Sequence, residues 1–342
     1  MKSRIFQRSI LDGISFALFI SVLLSVVYRP SEEDLLNLPV ISIIFLGSIF
    51  IGAIVSHFLN KNGYKTFGEN LFEPAYMKAR SESKPWYKTF WGWHLFATIL
   101  ILSIVGFFKV RFSIYELLDE DGFEGAKRLF KGIFSPNWDV LPSAVLNIIE
   151  TIFMAFMATF LAIPFAFVLS FLAAKNVMKH PVAYAVYMFI RTLLNVTRSI
   201  EALVWAIIFS VWVGIGPFAG MLALMIHSIA SLTKQYSEAV ETVSEGPIEG
   251  VQSCGASKLQ TIWFAIVPQV VLPYISFTVY RWDINVRMAT IIGLVGGGGI
   301  GTMLIKYQGQ AMWPEVGTII VVIAVVVWIL DQGSAYIREA LK

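Results

Sequence analysis

The sequence predicts an all-α membrane protein that crosses the bilayer several times, and its composition carries that prediction. Hydrophobic residues account for 57% of the 342 residues, against about 45–50% in soluble domains. Charged residues account for only 14%, against about 25%, and the mean hydropathy is +0.71. Because a water-soluble fold cannot bury so much apolar surface, the composition excludes a soluble enzyme, a disordered chain and a nucleic-acid binder. The net charge of +3 is too small to indicate a polyanionic partner.

About eight apolar segments are long enough to cross the bilayer as helices, which takes about 20 residues each. In chain order they are 10–28, 39–58, 92–109, 143–174, 182–213, 217–233, 260–280 and 315–331. The first is too long for a signal peptide and no small-residue cleavage site follows it. Segment 182–213 contains Arg191, Arg198 and Glu201, so we count it as one long, broken span.

The loops predict which side of the membrane each end faces. Lysine and arginine in short loops favour the cytoplasm, and they are frequent before the first span and in loop 60–91, whereas loop 110–141 is rich in acids. Alternation then places loop 234–259 in the cytoplasm. The C-terminus is also cytoplasmic if segment 284–304 does not cross the membrane.

Segment 284–304 is apolar, but six of its residues between 293 and 301 are glycines. Glycine costs up to about 1 kcal/mol in a helix interior, and backbone in contact with lipid must be hydrogen-bonded internally. We therefore expect a re-entrant or interfacial element that lies against protein or a water-filled cavity. The alternative is a glycine-rich helix packed closely on a neighbouring helix.

Loop 234–259 contains a predicted short helix. Pro247 follows Gly246 at a position where proline starts a helix, and Gly255 is suited to end one in the left-handed conformation. A small apolar face is formed by Ile248, Val251 and Cys254. Such a helix could dock in a groove of a cytosolic partner; the alternatives are a solvated turn or a helix lying on lipid.

The spacing of Glu249, Gly250, Val251, Gly255 and Pro268 resembles the signature loop of binding-protein-dependent ABC importer permeases, with Gly250 and Val251 in place of the usual alanines. Six further segments resemble the permease subunit of phosphonate ABC transporters: Gly214–Gly220, Cys254–Gln260, Val267–Gln269, Tyr280–Arg287, Gly293–Gly301 and Asp331–Arg338. The resemblance covers about 130–340. It departs from the family pattern at 198–201, where a Pro-Glu pair is expected.

The resemblance implies a homodimeric channel subunit in a bacterial cytoplasmic membrane, for phosphonate, phosphite or a phosphate ester. Its partners would be a cytosolic ABC ATPase dimer and an extracytoplasmic binding protein. A five-helix permease core would occupy 143–342, after a two-span extension at 1–91 and a further span with an extracytoplasmic segment at 92–142. The coupling helix, at about 246–255, would contact the ATPase through Pro247, Ile248, Glu249, Val251 and Gly255.

The chain is not expected to be an enzyme. It has no G-x-x-x-x-G-K-[ST] sequence, so ATP and Mg²⁺ would bind to the partner ATPase and no cofactor to this chain. Its four histidines are scattered without ligand spacing, which predicts no metal site. Two other classes were weighed. A stand-alone secondary transporter or channel would show inverted repeats, and a membrane enzyme would show clustered His, Asp or Glu; neither pattern is present.

Ionisable residues at membrane depth predict the transport pathway, since they usually face a bundle interior or water. Arginine binds oxyanions through paired hydrogen bonds. We expect an outer polar gate formed by Arg281, Asp283, Asn285 and Arg287, with backbone mobility supplied by Gly296, Gly297, Gly298 and Gly299. The alternative is that Asp283 pairs with Arg281 or Arg287 and merely pins the loop.

Overall fold

A computed structural model describes residues 11–17, 38–62, 64, 66, 85–110, 113, 115 and 119–341. These residues are helical apart from turns and short connections, and they contain no strand, which confirms the all-α prediction. They form two compact units, 1–119 and 120–342, and each unit is described by itself.

The first unit contains two long helices, α1 (Leu38–Lys61) and α2 (Phe90–Lys109), and helical residues 11–17. Asp12 is buried here, and its carboxylate accepts a 2.6 Å hydrogen bond from Thr66. Ser15 lies 3.0 Å from Nε2 of His94 on α2. The one acidic residue in the first predicted span is therefore hydrogen-bonded, as a buried carboxylate must be.

The second unit is a helical bundle. In chain order its helices are α3 (Glu120–Ile133), α4 (Leu141–Leu172), α5 (Pro181–Ser199), α6 (Ala202–Val213), α7 (Pro217–Glu241), α8 (Glu245–Ser253), α9 (Lys258–Thr261), α10 (Val267–Ile292), α11 (Gly299–Gly309) and α12 (Trp313–Ala340). A π-helical turn, Ile262–Ile266, joins α9 to α10 without a break.

The core of this bundle lies between α4, α7 and α10. Four alanines spaced along one face of α4 have no exposed surface: Ala155, Ala158, Ala162 and Ala166. Small side chains let the backbones of neighbouring helices approach closely, which is the usual way that membrane helices pack. Large apolar side chains such as Phe153, Phe160 and Phe165 lie instead on the exposed face of α4.

Three helical stretches in the described residues are long and apolar enough to cross a membrane: Trp138–Leu172, Lys258–Val295 and Trp313–Ala340. The pair α5 and α6, bent by 89°, counts as a fourth if it is one broken span. The predicted segments 39–58 and 92–109 contain shorter apolar helices, and part of 10–28 lies outside the described residues. The count of eight spans stays a prediction.

The structure corrects the boundary drawn between segments 260–280 and 284–304. Helix α10 continues to Ile292, and only the residues after it form a turn and the short helix α11. No glycine or proline stands between 280 and 292 to end the helix, so the break comes at Gly293. The four predicted gate residues therefore lie within the C-terminal half of a long helix, before its end at Ile292.

Candidate functional site

The short helix predicted in loop 234–259 is present as α8, between residues 245 and 253. Gly255 follows it with φ of +78°, and its N–H donates to the carbonyl of Gln252 at 2.9 Å. The next helix begins with a capping box, in which Ser257 and Gln260 satisfy each other's backbone N–H groups. The chain after α8 is thus fixed by local hydrogen bonds, and the predicted helix with its left-handed terminator is confirmed.

The sides of α8 have different environments. Ile248 and Val251 are half-buried, and Ile248 packs against the core between α4, α7 and α10. Cys254 was expected on the same apolar face, but it is exposed, because the helix ends at Ser253. Glu249 is also exposed. Helix α8 therefore turns an acidic, solvent-accessible side away from the bundle.

A cavity of about 480 Å³ lies between α8, the α4–α5 connection and the start of the next span. Its wall is apolar at Ile248 and Ile262, and its rim carries Glu249, Lys179 and Lys258. The exposed side of α8 thus borders an open, charged recess rather than packed protein.

Hydrogen bonds tie the entrance of α8 to the rest of the bundle. Glu241, at the end of α7, accepts from Arg191 Nη1 at 2.7 Å and from the backbone N–H of Lys175 at 2.9 Å. The backbone N–H of Ser244 donates to the side chain of Gln269 on α10 at 3.0 Å. Arg191, one of the charged residues noted inside the broken span, therefore links α5 to the end of α7, close to α8.

The Arg191–Glu241 ion pair makes a measurable contribution to stability. Both side chains are less than a third exposed, and a charge-assisted hydrogen bond in such a site contributes about 1–2 kcal/mol. We expect Arg191→Gln and Glu241→Gln each to lower the thermal stability of the purified permease, and the double variant to lose less than the two single losses together. Fully additive losses would contradict the pairing.

The four predicted gate residues lie on two different faces of α10. Arg281 and Asn285, one helical turn apart, are buried, with 7% and 0% of their surface exposed. Asp283 is also buried, at 2%, whereas the side chain of Arg287 is 44% exposed. The structure does not bring the four together as one cluster.

The first face forms a buried polar network with α7 and α4. Arg281 Nε donates to Ser228 Oγ at 3.2 Å, and Asn285 Nδ2 donates to the same oxygen at 2.7 Å. Asn285 Nδ2 also donates to Thr159 Oγ1 at 2.8 Å. Arg281 Nη2 and Asn285 Oδ1 are buried and have no hydrogen-bond partner among the described residues. The sequence did not single out Ser228 or Thr159, since only folding brings three distant helices together.

The second face carries an ion pair. Arg287 donates to the buried carboxylate of Asp283, and it lies 3.6 Å from Asp331 on α12. This is one of the two pairings weighed as an alternative to a gate; Arg281 and Asp283 do not pair within the described residues. The pair ties α10 to α12, and the role of these residues as a gate stays a prediction.

The glycine-rich turn lies against protein, which is one of the two environments expected for it from the sequence. Gly296 and Gly298 have φ of +88° and +80°. A Cβ atom at Gly298 would lie 2.5 Å from Cγ of Pro217, the first residue of α7. Only glycine allows this approach together with this backbone conformation.

The same turn is held by α4 through the start of α11. Gly299 N–H donates to Glu150 Oε1 at 3.3 Å, and Ile300 N–H donates to Thr151 Oγ1 at 2.9 Å. Two of the N–H groups that a helix start leaves without partners are therefore satisfied by α4 side chains.

No group of three or more His, Cys, Asp or Glu residues in the described part of the chain could hold a metal ion.

Comparison with known proteins identifies relatives of the second unit. The family model described as "Binding-protein-dependent transport system inner membrane component" matches residues 143–332. The phosphite transport system permease protein PtxC of Stutzerimonas stutzeri is 36% identical over 207 residues, which are 60% of this chain and 74% of that protein. The phosphate-import permease protein PhnE of Mycolicibacterium smegmatis is 34% identical over 62% of this chain and 40% of that protein.

Solved structures are similar in fold. An inward-facing structure of the MetNI methionine ABC transporter matches with a TM-score of 0.53 and 22% sequence identity, covering 60% of this chain and 99% of that chain. At this identity the match bears on the fold alone.

Proposed function

The chain belongs to the family of binding-protein-dependent transport system inner membrane components, and on that basis we propose that it imports phosphonate or a related small oxyanion. It is a multi-pass membrane protein, the permease subunit of an ABC importer. The choice of substrate class is supported by relatives whose names specify phosphite and phosphate. Phosphite, phosphonates and phosphate esters share the tetrahedral anionic centre that an arginine in the pathway can bind.

The observation that carries the proposal is helix α8, which is short, terminated by Gly255 in the left-handed conformation and exposed along the side that carries Glu249. We propose that this helix docks on a cytosolic ABC ATPase, which binds ATP and Mg²⁺. Contact would be made by Pro247, Ile248, Glu249, Val251 and Gly255. Because Glu241 and Gln269 tie the entrance of α8 to α5, α7 and α10, movement of the docked helix would reach the membrane-spanning bundle.

The working assembly would contain two copies of this chain, a dimer of ATPases and an extracytoplasmic binding protein. It would lie in the bacterial cytoplasmic membrane with both termini of each permease in the cytoplasm. The permease core would be 143–342, with 1–91 and 92–142 as additional membrane-associated segments. A stand-alone transporter or channel is not favoured, because the matched family works with binding proteins.

The proposal is tested with the permease, its ABC ATPase and its binding protein, reconstituted together in liposomes. We expect uptake of methylphosphonate, phosphite or phosphate that requires both ATP and the binding protein. Uptake that needs neither would favour a stand-alone transporter. Uptake of none of the three anions would contradict the substrate class.

A gate role for Arg287 predicts a specific change in transport kinetics. In Arg287→Ala the buried Asp283 carboxylate loses its ion-pair partner, which is costly at membrane depth. We expect the maximal uptake rate to fall about tenfold or more, with no change in the affinity of the binding protein for its anion. The control is Arg338→Ala, which removes an arginine that contacts only α12 backbone and the ring of Tyr280 among the described residues. An unchanged rate per folded complex would leave Arg287 as a structural tie.

A further inference from the structure

The break between α5 and α6 is an unusual element of this bundle. The two helices meet at 89°, and the two residues between them, Ile200 and Glu201, have extended backbone conformations. The bend forms although no proline stands there. In the described part of the chain no side chain caps the start of α6; Val204 N–H donates to the carbonyl of Glu201 at 3.0 Å, which leaves the N–H groups of Ala202 and Leu203 for another partner. In some secondary transporters, the N-termini of interrupted helices point at anionic groups of the substrate.

Charged or titratable side chains from α5, α7 and α10 lie within electrostatic range of this break. Arg198 lies at the end of α5 and Glu201 at the break itself. His227 of α7 lies near the backbone of Ile200 and within electrostatic range of Arg198, Glu201 and Arg281. Arg281 of α10 is likewise within electrostatic range of Glu201. With a neutral histidine, two guanidinium groups face one carboxylate, and the site carries an excess positive charge.

These charges are not neutralised by contact. Within the described parts of the chain, Arg198, Glu201 and Arg281 have no ion-pair partner within 4 Å. Arg281 is 93% buried, its Nε is occupied by Ser228, and its Nη2 has no partner. His227 Nδ1 is also buried without a partner. A buried cation with a free donor is expensive unless an anion compensates it.

We propose that the break between α5 and α6 is a transient oxyanion-binding point on the transport pathway. Arg281 and Arg198 would supply charge-assisted hydrogen bonds to two or more oxygens of the tetrahedral anion. The N–H groups of Ala202 and Leu203, at the start of α6, would add backbone donors. Glu201 repels the same anion and keeps the affinity low, as a transport site requires for the substrate to leave again. This inference rests on the proposed function, because it assigns the oxyanion a contact within the permease itself.

The alternative is that Arg281 and Glu201 attract one another and only stabilise the bend. The two roles differ in a direct binding measurement. The purified permease–ATPase complex, without the binding protein, is equilibrated with radiolabelled phosphite, and sulfate is the competitor. We expect weak, saturable binding that Arg198→Gln and Arg281→Gln each reduce about tenfold or more. Arg338→Gln, which removes an arginine outside the site, is the matched control and should bind as the unaltered complex does.

The same variants are then tested in the fully reconstituted importer. We expect Arg198→Gln and Arg281→Gln to lower phosphite uptake at least tenfold, while the binding protein still stimulates ATP hydrolysis. Arg198 is exposed, so its replacement keeps the test valid if replacing the buried Arg281 prevents folding.

Each remaining outcome counts against one of the two proposals. Equal phosphite binding by Arg198→Gln and the unaltered complex, or no binding by the unaltered complex, would overturn the oxyanion site while leaving the importer intact. Failure of the unaltered importer to take up any of the three anions would overturn the proposed function, and with it this inference.

Discussion

Glu249→Lys is expected to abolish ATP-driven uptake while the helical bundle remains folded. Glu249 is exposed on α8, and no ion pair joins it to another residue in the described regions. Reversing its charge therefore costs the isolated permease little, within about 0.5 kcal/mol. At a docking surface, however, a like-charge contact costs several kcal/mol, which corresponds to at least about a hundredfold loss of binding.

The prediction is checked by three measurements on one preparation: co-purification of the ATPase, ATP-driven uptake in liposomes and thermal unfolding of the permease. Glu339→Lys, the same charge reversal at an exposed position of α12, is the control and should transport normally. Gly255→Val should also lose uptake, because a β-branched residue is strained at its φ of +78°. Normal transport by Glu249→Lys and Gly255→Val would mean that α8 is not the coupling element.

Gly298→Ala is expected to destabilise the bundle by about 3 kcal/mol or more. Gly298 has φ of +80° and ψ of −173°, a region that is open essentially to glycine alone and costs other residues about 1–3 kcal/mol. The added Cβ would also lie 2.5–2.8 Å from three atoms of Pro217, so the start of α7 would have to move. The cost of overpacking adds about 1–3 kcal/mol to the backbone strain.

The measurement is the thermal unfolding of the purified permease, which is monitored by the loss of its monodisperse peak in size-exclusion chromatography. Gly309→Ala is the matched control, because a Cβ there meets no atom within 4 Å and alanine favours a helix. We expect Gly309→Ala to be as stable as the original or slightly more stable. Equal melting of the two alanine variants would show that the turn tolerates a side chain.

The features that sequence reasoning placed correctly are local ones. Helix α8 and its terminator at Gly255 follow from glycine and proline at fixed offsets. Local backbone preferences are encoded in a few neighbouring residues. Cys254 was misplaced because the helix ends at Ser253, one residue earlier than the apolar spacing predicted.

The features that sequence reasoning could not place depend on distant parts of the chain. Ser228 bonds both Arg281 and Asn285, although 53 and 57 residues separate them in sequence. Asp283 pairs with Arg287 and not with Arg281 because of helical spacing. Residues four positions apart lie on one face of a helix, whereas residues two positions apart do not. The span boundary at residue 280 was drawn too early, because α10 continues through Arg281, Asp283 and Arg287 to Ile292.

The π-helical turn Ile262–Ile266 sets the direction, around the helix axis, in which each later side chain of α10 points. A single additional residue in a helical turn rotates the downstream helix by about 100° about its axis. Without that offset, the side that carries Arg281 and Asn285 would point away from Ser228 and Thr159. A widened turn shortly after α8 therefore helps to decide which side chains of α10 face the interior of the permease. That turn contains none of the charged residues involved.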